Sequence, residues 1–160
     1  MRRFALIGLI LLGFIAALAL AAASKFSLSA LPEPGRVETY LATKAKHYLV
    51  QKGSRRSIPP PPADMQASVK EGDDLFGTEC AACHGLSGDD ATDAGRWMYP
   101  RAADLTSREA QSYSDRELFW IIRNGIRLSG MPAFGRVETD EHIWDLVRYV
   151  RTLPASSKSR

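Results

Sequence analysis

Cysteine is nearly missing from the chain: Cys80 and Cys83 are the only two among 160 residues, three positions apart. So close a pair cannot build a disulfide framework, even in an exported compartment that permits one. With no cysteine near the N-terminus, a lipoprotein anchor is excluded as well. Strand signals and internal repeats are also lacking, which leaves an all-α fold as the expectation. Nor is there a strong charge of one sign. The formal net charge of +3 divides at residue 65 into opposite halves: nine Lys and Arg stand against three Asp and Glu up to that point, and twelve against fifteen beyond it. A weak excess confined to the first part gives no reason to expect a nucleic-acid partner. The basic residues suit either plain solvation or attraction to anionic headgroups.

What is present begins with an apolar run of 20 residues, Phe4 to Ala23, behind Arg2 and Arg3. As a helix it would measure about 30 Å, the thickness of a bilayer core. Its length favours an uncleaved anchor over a secretory signal, whose apolar region usually spans about 7–15 residues. Removal near Ala23 is the alternative. Arg2 and Arg3 favour a cytoplasmic N-terminus, against Lys25 and Arg36 on the other flank. Residues 1–24 are thus read as a membrane anchor or uncleaved signal, and everything after them as exported. Residues 25–52 form a stem in which Val37, Tyr40, Leu41, Tyr48 and Leu49 fall near one face of an amphipathic helix. That helix suits a membrane surface, given Lys44, Lys46 and His47, and equally suits packing on the next domain or a partner. Residues 53–65, with four consecutive prolines, read as a semi-rigid polyproline linker. Residues 66–154 remain as the functional module, and 155–160 as a disordered tail.

Three helices are expected in the module. The first spans Met65 to Cys80, with Val69, Gly72, Leu75 and Phe76 on one side. The second starts at Ser114, with Glu117 three residues on as the reciprocal half of a capping box, and stops at Gly125. The third follows Thr139, has Asp140 and Glu141 at its positive end, and carries the stripe Ile143, Leu146, Val147, Val150, Leu153 up to Pro154.

Cys80-Ala81-Ala82-Cys83-His84 is the Cys-x-x-Cys-His attachment pattern, in which two thiols join haem vinyl groups and the adjacent imidazole binds iron. Two intervening residues let one turn of backbone present both sulfurs to a porphyrin edge. A dithiol redox site would want a βαβ context, which the sequence lacks, and zinc would need a fourth ligand from His47, His142 or a carboxylate. For the second axial position the candidates are Met131, Met98, His47, His142 and Met65. Met131 leads them, because Gly130, Pro132 and Gly135 around it forbid regular helix and shape a loop able to hold a thioether. Met98 follows His84 too closely to reach the opposite haem face with ease.

Together with the Gly130-Met131-Pro132 loop, this motif makes residues 66–154 resemble a class I cytochrome c domain, and the whole chain resembles membrane-anchored bacterial monohaem cytochromes. Gly72 and Phe76 match that family's glycine and aromatic on the N-terminal helix, and Leu146 and Tyr149 the leucine and aromatic on the C-terminal one. The resemblance implies that these two helices cross. It also implies one covalent haem c with its iron held by His84 and Met131, and a backbone carbonyl, given to Pro100, that accepts a hydrogen bond from the proximal imidazole. The implied activity is one-electron transfer between redox protein partners, with the haem domain on the periplasmic side of a bacterial inner membrane, or free in the periplasm after cleavage. A dedicated subunit of a periplasmic dehydrogenase or oxidase is the alternative. A haem enzyme or gas sensor would demand an open sixth position.

Overall fold

The computed structural model describes residues 2–24, 29–89 and 91–154, without the side chains of Arg2, Ala5 and Ala22. Lys25 and the tail from Ala155 to Arg160 lie outside the described residues. The chain forms two compact units, Met1–Pro32 and Glu33–Arg160. The first holds α1, Arg2–Ala23, whose large apolar side chains are all exposed. Among the described residues no helix is long and apolar enough to cross a membrane, so the anchor expected from the full run Phe4 to Ala23 is not shown.

Every regular element among the described residues is helical, as the absence of alternating apolar patterns implied. In the second unit α2 spans Arg36–Ser54, α3 Met65–Leu75, and a π-helical turn, Phe76–Cys80, leads straight into α4, Ala81–His84. Short α5 (Asp93–Trp97) and α6 (Arg108–Gln111) precede α7 (Asp115–Asn124), and α8 (Asp140–Thr152) closes the fold. The capping box is present: the Ser114 hydroxyl accepts from Glu117 N–H, and the Glu117 carboxylate accepts from Ser114 N–H at 2.8 Å. Ser114→Ala is expected to cost about 1 kcal/mol, read as an earlier midpoint in urea. A change within error would mean that the cap is redundant.

The centre of the fold is the crossing of α3 over α8. Gly72 lies so close to α8 that a Cβ would overlap the Asp145 carbonyl. One turn earlier the Ser68 hydroxyl donates to the buried Asp145 carboxylate, so this acid has its partner inside the crossing. The Phe76 and Tyr149 rings meet beside it, with centroids 5.1 Å apart. Phe76, Phe119, Ile143, Trp144, Leu146, Val147 and Val150 make up the buried core around it.

The stem does not pack on the rest of its unit by its apolar stripe. Val37, Tyr40, Leu41, Tyr48 and Leu49 are exposed, and the face of α2 turned to α7 is the other one. Val50 and Ser54 are buried there, and Gly53 leaves just enough room for the Trp120 ring. Lys46 Nζ reaches Glu109 at 2.9 Å, and the His47 ring stacks on Tyr113 at 4.5 Å. Small residues and polar partners, not the apolar stripe, decide which face docks. The proline segment is not a free spacer either. Trp144 Nε1 donates to the Pro59 carbonyl at 2.9 Å, Arg148 donates to those of Pro62 and Asp64, and Arg116 to those of Ser54 and Arg56. Prolines lack N–H groups but keep their carbonyls, and the α8 side chains Trp144 and Arg148 use those of Pro59 and Pro62.

Candidate haem site

The π-helical turn widens the helix where the first thiol emerges. Cys80 ends that turn; Ala81, which opens α4, is buried against the core, and Cys83 and His84 close the same single turn. Both thiols are free and half-buried. The last carbonyls of α4 would be orphans; here the segment after the motif takes them up. Thr92 donates its hydroxyl to Ala82 O at 2.6 Å and its N–H to Cys83 O at 3.2 Å. Gly95 of α5 sits directly on the Cys83 carbonyl, where no side chain fits.

His84 Nδ1 lies 2.8 Å from the Ala103 carbonyl. A carbonyl only accepts, so Nδ1 carries the proton and Nε2 keeps its lone pair free for a metal. Burial pulls the imidazole below its usual pKa, against the opposing effect of that hydrogen bond, and so favours the neutral ring that ligates. The acceptor is Ala103 and not Pro100, which corrects the expected role of the proline. Two backbone bonds explain the offset: Ala102 N–H to Gly95 O at 2.9 Å and Leu105 N–H to Gly88 O at 2.7 Å. They pin the strand-like segment 102–105 on either side of Ala103, whereas Pro100 lies exposed ahead of them.

Burial pushes the Cys80 thiol up to about 12, with Glu79, Cys83 and Glu138 adding to it. It is therefore neutral at physiological pH, unlike the low-pKa thiolate that a dithiol redox centre employs. The donor set, two adjacent thiols with an oriented imidazole, fits a covalently held haem.

Met131 sits in the loop after α7, half-buried against the same core as Cys80. Both of its backbone groups are engaged, N–H with Ser129 Oγ at 3.2 Å and C=O with Ile126 N–H at 3.3 Å. Gly125, at φ 66°, closes the turn that starts this loop. The loop is thus fixed by its own backbone. Met98, the candidate ranked behind Met131, has its sulfur against Gly130, the neighbour of Met131. The remaining candidates are elsewhere: His47 on Tyr113, His142 with Nδ1 at 2.7 Å from Glu138, and Met65 exposed at the start of α3.

Residues 67–150, slightly more than half of the chain, match the family described as cytochrome c oxidase, cbb3-type, subunit III. This chain is a class I c-type cytochrome. Two cytochromes c6, from Thermosynechococcus vestitus and Thermostichus vulcanus, are each 30% identical to it over 89 residues, which cover 56% of this chain and 73% of theirs. A chain of the Kuenenia stuttgartiensis reducing HAO-like protein complex shares the fold, with a TM-score of 0.50 at 21% identity over 62% of this chain. This cytochrome spans about half of that longer chain, 53%. Membership brings covalent haem c with its iron, attached through the Cys80 and Cys83 spacing, and electron transfer as the domain's activity.

Proposed function

We propose that this cytochrome is a one-electron carrier with His84 and Met131 as axial ligands, working between redox partners on the periplasmic side of a membrane that the run Phe4 to Ala23 enters. The oriented His84 ring carries the proposal: Ala103 holds Nδ1, and the free Nε2 is the ligating atom. The haem supplies a reversible one-electron couple, and a thioether ligand raises its potential. The protein's part is to keep both ligands still, so that little rearranges as the charge changes. The His84 ring is fixed by its hydrogen bond and the Met131 loop by its turn. With both axial positions taken, substrate has no entry. Stopped-flow mixing with quinol-oxidising or terminal-oxidase complexes tests this reading. Exchange within the turnover time of those complexes is expected, and its absence with every complex tried sinks the carrier reading.

The family description, an oxidase subunit, favours a second version in which the chain is a dedicated subunit. Co-purification with a flavin, quinone or molybdenum enzyme from native membranes supports that version, and isolation as a monomer opposes it. The mass of the mature polypeptide reads the fate of the apolar run: an intact N-terminus supports the anchor, and a start after Ala23 supports cleavage.

A further inference from the structure

The stem helix has two faces, and among the described residues one of them carries its packing within the fold. Lys46, His47, Val50, Gly53 and Ser54 turn towards α7 and its neighbours. On the far side, Val37, Leu41, Lys44, Tyr48 and Lys52 recur at intervals of four, three, four and four residues, which is one stripe of a helix. All five are exposed, Val37 at 72%, Leu41 at 60% and Tyr48 at 64%. Lys44 lies 5.8 Å above the ring of Tyr40, itself exposed beside the stripe.

The sign of the charge on this face is uniform because the acids nearby point elsewhere. Glu38, the only acid in α2, accepts from the Tyr99 hydroxyl at 2.5 Å. Glu33, just before the helix, pairs with Arg101. Past the helix end, Arg55 and Arg56 are exposed and add further positive charge. Aliphatic and phenolic side chains interleaved with lysines along a straight face are suited to the headgroup boundary of a bilayer. There the rings and aliphatic stems are buried while the ammonium groups meet phosphate.

We propose that the outward face of α2 seats on an anionic phospholipid surface. The inference goes beyond electron transfer and takes from the reading of the apolar run only its proximity. Twelve residues separate Ala23 from Arg36, a reach of at most about 42 Å when extended. A bilayer holding the run would therefore lie within range of α2.

The test uses the full-length haem-loaded protein in lipid nanodiscs, either phosphatidylcholine alone or with about one third phosphatidylglycerol. Lysine acetylation under single-hit conditions, followed by peptide mass spectrometry, reads each site. Lys44 and Lys52 are expected to react at least about fivefold more slowly in the anionic discs, and the difference should vanish in about 0.5 M salt. Lys70, 78% exposed on α3, serves as the unaffected reference. In Leu41→Ser/Tyr48→Ser, both exposed positions, the protection should fall to the phosphatidylcholine level. If that variant misfolds, the rates of the unaltered protein still decide. Equal rates in both kinds of disc overturn the proposal. So does equal protection in detergent without lipid, which would put a second protein on this face. Co-elution of the protein with the discs reports on the apolar run separately, so failure of the anchor and failure of the α2 contact are told apart.

Discussion

Met131→Ala should turn the ferrous protein into one that binds carbon monoxide without denaturation, and should lower its reduction potential on the order of 0.2 V, a fraction of the ~0.8 V range over which axial ligands set haem potentials. The loop explains why the change is confined to the ligand. Ser129, Ile126 and Gly125 hold the backbone of residue 131 through main-chain groups that alanine retains, so the site is emptied without being unfolded. Spectroelectrochemical titration gives the potential, and the ferrous carbon monoxide difference spectrum gives access to the sixth position. One neighbour complicates the outcome in a useful way. The Met98 sulfur sits against Gly130, one residue from the lost thioether. Comparison with Met98→Ala therefore assigns the ligand. If Met131→Ala keeps its spectrum and potential while Met98→Ala loses both, the axial assignment passes to Met98.

Gly72→Val should destabilise the fold by at least about 3 kcal/mol, at the upper end of what overpacked cores show, or roughly 10 °C in melting temperature. A Cβ at residue 72 overlaps the Asp145 carbonyl and comes within 2.9 Å of Tyr149 Cβ. Neither helix can withdraw cheaply, because Ile143, Leu146 and Val147 of α8 are at most 1% exposed. Separation would also break the bond between Ser68 and Asp145, leaving a carboxylate buried without its partner. Gly77, five residues further along the same helical stretch, meets nothing within 4 Å of a built Cβ. Gly77→Ala is therefore expected to stay within about 1 kcal/mol of the parent. Equal melting curves for the two variants would show that the crossing is not the tight point of the fold.

The local features of the module were legible from sequence because their causes are local. Ser114 and Glu117 cap α7, Thr139 caps α8, and the stripe Ile143, Leu146, Val147, Val150 is buried, each within a few residues of the signal that announces it. The attachment motif is equally self-contained. What escaped was decided between distant segments. Val37, Tyr40 and Leu41 look like the packing face of the stem until Gly53 and Trp120, 67 residues apart, are found to fit each other. The four prolines suggest a spacer, yet the carbonyls of Pro59 and Pro62 are claimed by Trp144 and Arg148. Pro100 lost its expected role to Ala103 because α5 and the segment around Gly88 shift the loop by three residues. The π-helical turn left no signal in the periodicity, since five residues, Phe76–Cys80, are too few for a shift of phase to be read from the apolar pattern.

That turn sets a rule for length changes. α3 answers to α8 through Gly72, whereas Cys80 and Cys83 would answer to the haem edge, and the turn Phe76–Cys80 mediates between the two obligations. Each residue of a helix advances it by about 100° of rotation, so deleting one of Gly77, Thr78 and Glu79 would swing both sulfurs a quarter-turn or more about the axis while Gly72 stayed put. Point substitutions at the exposed Gly77, Thr78 and Glu79 should be absorbed, but indels there should yield folded polypeptide that cannot be matured.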